Sequence, residues 1–453
     1  MHVSTHIPAL PQEMLDHIVD YLEKDKPSLL SCTLATRRLL VSSQRHLFRV
    51  LRLSRKENVE YGDWKPFFLE HPHLTSYVRT IIVIGTPDTK TRYDCFDNPA
   101  GPFCACVLSD ILPHFPRVEV VAIDGVSLEC VPSCETTLNP LFSPIKGLVC
   151  LDLTDVYQTK VEGISQFIRL LKLFSEIPVI HIVDLSLGCD SDESVETTVM
   201  REVAKLPSDW KPQIEELIIS VGDVGRFDFL ARLLTAVGCL TNLQQLEIVF
   251  RSWGDYGPTV SLIKASEKTL VRLCLDLAHT IDDHVDAGEE EELIMNPIDP
   301  IRWKGFGLAS CLSLAYFEVS VILRELPEAE FFPNIQPNVR AFQYMLDQIS
   351  DGPRNIKTLS IFIRLVDDTY VDIISQNYDW DRLATLVYCP NTFPNLQTVD
   401  LVLLAEDDDF RDAANECFKI VCKALRPKKA SKRKHIFHIS CQQGDYDELV
   451  RAS

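Results

Sequence analysis

The side chains most able to do chemistry gather between residues 95 and 134, where Cys95, Cys104, Cys106, His114, Cys130 and Cys134 supply thiols and an imidazole. Such groups ligate zinc when about two to four residues lie between paired cysteines. Cys130-x-x-x-Cys134 meets that spacing and Cys104-x-Cys106 does not. Because these residues flank one predicted strand, the favoured reading is reduced loop cysteines and no metal. A cysteine nucleophile needs a base placed beside it in space, and no thiol here has such a partner legible in sequence. No GxGxxG, GxxxxGK[ST], Gly-x-Ser-x-Gly or His-Glu-x-x-His occurs. The expectation is a non-enzyme without a cofactor.

Charge marks three further stretches. Residues 281–292 and 406–409 are acidic runs, read as solvated loops with docking of basic substrates as the functional alternative. Residues 426–434 are basic and stand either for a nuclear-localisation patch or for an exposed linker. The chain as a whole carries a formal net charge of −20, which argues against nonspecific nucleic-acid binding.

At 453 residues, 46% of them hydrophobic and 24% charged, the composition is that of an ordinary soluble protein with ample material for a core. The longest apolar runs, such as Ile81-Ile82-Val83-Ile84, fall far short of the ~18 residues a membrane helix needs. The chain opens without a basic segment followed by an apolar one, so no secretory signal is expected. The 15 cysteines are scattered, several inside apolar runs, which points to a reducing cytoplasmic or nuclear setting.

The elements that organise the chain begin in its first fifty residues. From Leu10 to Leu22 the sequence predicts a helix, with Pro11 in the first turn and Met14, Leu15, Ile18, Val19 and Leu22 on one apolar stripe. A second helix is expected from about Pro27 or Ser28, carrying Leu29, Leu30 and Leu34. A third is expected from about Arg37 to Phe48, with Leu39, Leu40, Val41 and Leu47. Three short helices of this size cannot bury all those side chains among themselves and need a partner or a neighbouring domain.

These residues resemble the F-box. Leu10-Pro11-x-Glu13-x-Leu15, Ile18, Leu22, Leu29-Leu30-Ser31-Cys32-x-Leu34 and His46-Leu47-Phe48 stand in the order and spacing of that motif across residues 6–50. Leu39 occupies a place where many F-boxes carry tryptophan. The resemblance implies docking on the Skp adaptor of a cullin-RING ubiquitin ligase, with Leu10, Pro11, Glu13, Leu15, Ile18, Leu22, Leu29 and Leu34 as docking or supporting residues. The alternative is a helical cap whose leucines face the next domain.

From Val50-Leu51-Arg52-Leu53 onward a short strand recurs. Its members are residues 78–84, 118–123, 148–153, 182–187, 214–219, 243–248, 270–275, 314–319, 356–361, 396–401 and 435–439, spaced by about 27 to 44 residues. Their Leu-x-x-Leu-x-Leu form resembles the strand half of a leucine-rich repeat. Helical patterns fill intervals such as 164–174, 229–237 and 413–425. The predicted architecture over residues 51–445 is therefore an irregular α/β solenoid, a horseshoe, following the F-box at 6–50. A doubly wound α/β domain is the competing fold. It would bury both sheet faces, whereas these strands alternate apolar with polar residues.

Trp380-Asp381-x-Leu383-x-x-Leu386 with Phe393-Pro394-Asn395-Leu396-x-x-Val399-x-Leu401 is similar to the C-terminal part of F-box/leucine-rich-repeat-like proteins expanded in mushroom-forming fungi. That family implies a substrate-recognition adaptor, the solenoid binding an unknown substrate protein. The other reading is a leucine-rich-repeat scaffold whose F-box is degenerate and engages no ligase. Glu215, Gln244, Arg272 and Lys357 are expected on the exposed sheet face, and neither membrane nor nucleic acid is an expected partner.

Overall fold

The computed structural model describes residues 10–54, 64–85, 101–129, 145–158, 163–187, 200–201, 203–204, 210, 212–220, 224–250, 255–277, 305–323, 337–365, 379–389, 391–405, 411–425 and 437–443. Cys95, Cys130, Cys134, both acidic runs and the basic run lie outside the described residues. The chain divides into two compact units, residues 1–181 with 187–192 and residues 182–186 with 193–453. Three helices open the first: α1 (Gln12–Asp20), α2 (Lys26–Ala35) and α3 (Arg37–Leu47). They share their unit with the strands that follow.

The helix boundaries follow local hydrogen bonding. Pro11 is the cap of α1, one residue outside the first-turn place expected for it, because its extended ψ of 151° is not helical. Its carbonyl still accepts the Leu15 N–H at 3.3 Å and so closes the first turn. α1 stops at Asp20, short of Leu22, whose N–H tightens onto the Val19 carbonyl at 2.9 Å. α2 starts at Lys26 because the Asp25 carboxylate accepts from the Ser28 N–H at 3.2 Å, with Pro27 in the first turn.

The chain then runs through β1 (Val50–Ser54), α4 (Trp64–Glu70), α5 (Pro72–Thr75), β2 (Thr80–Ile84), β3 (Gly101–Phe103), α6 (Ala105–Ile111), β4 (Val120–Leu128), β5 (Cys150–Gln158), α7 (Gly163–Lys172) and β6 (Val179–Val183). In the first unit β1, β2, β4 and β5 lie side by side and parallel. Phe48 stacks on Phe67 of α4 at 5.9 Å, while Phe68 and Trp64 close on Phe115 at 5.0 and 5.3 Å. Those rings join the end of α3 to the packing beneath the strands.

Continuing from β7 (Ser186–Leu187), the elements are β8 (Glu216–Ser220), α8 (Val224–Val237), β9 (Gln245–Val249), α9 (Tyr256–Ser266), β10 (Arg272–Asp276), β11 (Tyr316–Leu323), α10 (Pro337–Asp351), β12 (Thr358–Leu365), α11 (Trp380–Tyr388), β13 (Thr398–Ala405), α12 (Arg411–Ala424) and β14 (Phe437–Gln443). Strands β8 to β14 of the second unit pair in sequence order, all parallel. Helix α8 packs on α9, α10 on β11, and α12 on β13 and β14. This is an α/β fold on parallel strands, with intervening helices covering the leucine-rich side.

Most strands begin about two residues later than the repeated motif suggested. The exceptions are β1, which starts at Val50 as expected, and the strand expected at 182–187, where β6 starts earlier, at Val179, and the strand breaks at Asp184, whose φ is 52°. The carbonyl of the residue just before most of these strands, β1, β2, β4 and β8 to β12, accepts two N–H groups from the next repeat. Gln244 O takes Val271 and Arg272 at 2.7 and 2.9 Å, and Lys357 O takes Gln397 and Thr398 at 2.8 and 3.1 Å. The same forked pair joins Arg49 to Arg79 and Thr80, and Arg79 to Glu119 and Val120. The chain turns at that residue, so the first apolar position of each motif is buried outside the strand, as Val78, Leu243 and Ile356 are. The two later apolar positions point inward from the strand in continuous columns. Leu217, Leu246, Leu273, Phe317, Leu359 and Val399 share one register, and Ile219, Ile248, Leu275, Val319, Ile361 and Leu401 the next. All are buried.

Strand β4 is interrupted by Gly125 at φ 62° and β5 by Asp155 at φ 49°, after which the ladder resumes with Val126 opposite Val156. Beyond the interruption β4 also takes β3 as a partner. Gly85 passes so close that a Cβ there would stand 2.1 Å from the Gly125 carbonyl oxygen. Gly85→Ala is therefore predicted to cost about 1–3 kcal/mol through forced backbone displacement. Gly257→Ala, in α9 with nothing within 4 Å of the new methyl, is predicted to be neutral or to stabilise by up to ~1 kcal/mol. Urea midpoints of the two variants check both.

Candidate functional site

The first candidate surface belongs to α1, α2 and α3. Along the seam between α1 and α3, polar pairs repeat at a constant separation of 26 residues. Gln12 Nε2 donates to the Arg38 carbonyl at 2.8 Å, Ser42 Oγ donates to Asp16, His46 pairs with Asp20 at 2.7 Å, and Arg49 reaches Glu23 at 3.8 Å. Arg38 also donates to the Leu10 carbonyl at 2.5 Å. A constant offset means the two helices run parallel with a polar seam between them. The hydrogen bonds from Ser42 and then Gln12 hold the Asp16 carboxyl below its ordinary range.

With its polar side committed to α3, α1 turns much of its apolar stripe outward. Met14, Ile18 and Tyr21 are exposed, Tyr21 to 79%, and Leu10 is exposed ahead of them. Positions 14, 18 and 21 fall on one helix face. On α2, Leu30 and Leu34 are exposed one turn apart, Leu34 to 87%, and on α3 Val41 is exposed. Of the residues the sequence selected, Leu10, Pro11, Glu13, Ile18 and Leu34 thus face solvent, and Leu15 and Leu22 are half-buried. Leu29 is fully buried with Val19. It packs inside the helices. Leu39 is half-buried.

The polar sheet face of the second unit is the second candidate. Arg272, Gln245, Glu216, Tyr316, Thr358 and Thr398 share one register row, and Glu247, Cys274, Glu318, Ser360, Asp400 and His438 the row two residues on. Arg272 lies over the Tyr316 ring, 4.6 Å from its centroid, and its Nε donates to the Cys274 sulfur at 3.4 Å. The Tyr316 hydroxyl donates to Glu318 and receives a hydrogen bond from Ser360 Oγ at 3.3 Å. Gln245 donates to Glu216 at 2.9 Å. In the next two rows Val402 and Leu404 pack with Phe362, an apolar spot on the same face.

Only Arg272 of the expected exposed quartet stands in this row. Glu215, Gln244 and Lys357 are exposed at the head of the strands, where their carbonyls take the forked hydrogen bonds. The motif alone does not show that the chain turns there, so a side chain one residue early counts as part of the face. What the sequence did carry is the chemistry of the next positions, Glu247, Cys274, Glu318 and Asp400, which become neighbours only through the ladder.

Burial governs their titration. It raises the Glu247 carboxyl, and the neighbouring Glu318 adds to the effect. Burial raises Glu318 too, opposed by the Tyr316 hydrogen bond and by Arg272. Asp400 is raised by burial and drawn back by His438. The Cys274 thiol is pushed up by burial and by Glu318, and burial carries Cys239 and Cys311 to about 12, so these sulfurs are poor nucleophiles near neutral pH. A face of this composition can hold a cationic side chain or an arginine-rich segment.

The cysteine group is dispersed where it is described. Cys104 is buried as the cap of α6, its sulfur accepting the Cys106 N–H at 3.4 Å, and His114 sits edge-on to Trp64 at 5.6 Å. Among the described residues no three histidine, cysteine or carboxylate groups are arranged to hold a metal ion. Nor, among them, is any helix long and apolar enough to cross a membrane. Comparison with protein-family models gives no match, and comparison with curated proteins gives none either.

A carboxyl whose folded value is raised contributes stability below its ordinary range and loses it as pH climbs through the folded value. Glu247 starts from an ordinary value of 4.5. Glu247→Gln is therefore predicted to raise the unfolding midpoint at pH 7.5 and to give no gain at pH 4. Thermal unfolding followed by circular dichroism at the two pH values tests the sign, and an equal change at both would refute it.

Proposed function

We propose that this chain is a substrate-recognition adaptor of a Skp-cullin-F-box ubiquitin ligase, with α1–α3 as the F-box and the repeated α/β strands as a leucine-rich-repeat-like solenoid. The observation that carries this reading is the orientation of α1. Its polar side is spent on the seam with α3, and Met14, Ile18 and Tyr21 are left facing solvent beside exposed Leu10, Leu30 and Leu34. A cap serving only its own chain would bury those side chains, since each is worth about 1.5–3 kcal/mol when removed from water. Exposed in this arrangement, they suit a helical partner.

In this reading the Skp adaptor docks on that surface and links the chain to the cullin-RING assembly. The polar sheet face centred on Arg272, Glu247 and Glu318 receives the substrate protein. Tethering would raise the substrate's effective concentration at the ubiquitin donor, so the chain contributes proximity and selection and performs no covalent step.

Purified chain and a Skp-family adaptor, mixed and separated by size, test the first half. Wild type is expected to form a complex, and Ile18→Glu with Leu34→Glu to weaken it by about 100-fold or more, since each replaces an exposed anchor by a charge. Both positions are solvent-facing, so circular dichroism should be unchanged. Leu29→Ala is expected instead to cost about 2–5 kcal/mol of stability by opening a cavity. Failure of the wild-type chain to bind would favour a leucine-rich-repeat scaffold outside the ligase system.

A further inference from the structure

We propose that a cleft in the first unit binds a phosphoryl-bearing anion. The cleft has a volume of about 440 Å³ and is lined by Arg45, His46, Arg49, Arg79, Arg117 and Glu119, among others. Four guanidiniums thus meet one carboxylate, in a chain whose formal net charge is −20. In a chain this acidic, four arginines around one cleft are a local concentration of positive charge.

The ladder places these residues. Arg49, Arg79 and Glu119 are the forked-carbonyl residues at the heads of β1, β2 and β4, so their backbones are locked one strand spacing apart. Arg45 lies in the last turn of α3, four residues before Arg49, which follows the helix end, and Arg117 lies two residues before Glu119. Carboxylates face part of this charge, Arg45 acting on the Asp16 carboxylate. Arg79 donates to Glu119 at 2.8 Å and to the Arg117 carbonyl at 3.4 Å, while Glu23 is 3.8 Å from Arg49. His46 is held by Asp20 at 2.7 Å.

Arginine presents a planar fork of donors that matches the oxygens of a phosphoryl group bidentately. The cleft is larger than a bare tetrahedral anion requires and lies within the range of sites that take small organic ligands. A pyrophosphate-bearing small molecule and a phosphorylated side chain both offer anionic phosphoryl oxygens, so the source is decided by experiment. This site is independent of the adaptor reading, because none of the outward apolar residues of α1 or α2 lines it.

Titration calorimetry of the full chain at constant ionic strength provides the test, with sodium pyrophosphate as one probe and a phosphoserine peptide beside its unphosphorylated form as the other. Saturable one-site binding by the wild-type chain is expected for at least one probe. Arg49→Glu with Arg117→Glu, both at exposed positions, should weaken it by about 10- to 100-fold. Arg49→Gln with Arg117→Gln should weaken it less, and circular dichroism should be unchanged in both. Preference for pyrophosphate over the phosphopeptide would identify a small-molecule ligand, and the reverse a modified protein. No saturable binding of either probe, or equal binding by wild type and the charge-reversed variant, would overturn the proposal and leave the arginines as partners of Glu23 and Glu119.

Discussion

The forked carbonyl at the head of most strands is the interaction on which the rest of this structure depends. One oxygen accepting two successive N–H groups fixes both the lateral step and the register between neighbouring repeats. Once register is fixed, the apolar columns beneath the sheet follow, from Leu217 across to Val399 and from Ile219 across to Leu401. A slip by one residue would exchange those leucines for Glu247, Arg272 and Glu318, burying charge without partners. Local hydrogen bonding and global burial therefore enforce the same alignment, which is the consistency expected of a sequence that specifies one fold.

Much of the architecture was legible because it rests on periodicity. The Leu-x-x-Leu-x-Leu spacing located the repeats, and helical spacing located α1, α2 and α3 within a residue or two. The start of each strand was not legible, since the turning residue before it is Gln in one repeat, Lys in another and Arg in a third. Its defining property is a backbone carbonyl, and side-chain identity carries no trace of it. That is why Glu215, Gln244 and Lys357 were placed one position too far along.

The sites divide in the same way. Of the leucines and isoleucines picked out by spacing, Leu10, Ile18 and Leu34 are exposed and Leu29 is buried. Stripe membership says that a residue is apolar and is silent on which side its helix is held. The pairs Gln12–Arg38, Asp16–Ser42 and Asp20–His46 decide that, and their shared offset was present in the sequence as a weak signal with no evident meaning. The meeting of Arg45, Arg49, Arg79 and Arg117 had no signal at all, since residues up to 72 positions apart reach one cleft only through the ladder.

The interruption of β4 and β5 at Gly125 and Asp155 bears on how such a chain can change over generations. Up to that point the strands are bound to a common register, and an inserted residue would shift whole columns. Beyond it β4 is free to add β3 as a further partner. Length variation is thus tolerated at the far end of a strand and penalised at its head. Unequal repeats of about 27 to 44 residues are then no defect of the series. They fit a scaffold whose register is fixed at one edge of the sheet and whose opposite edge can lengthen without shifting it.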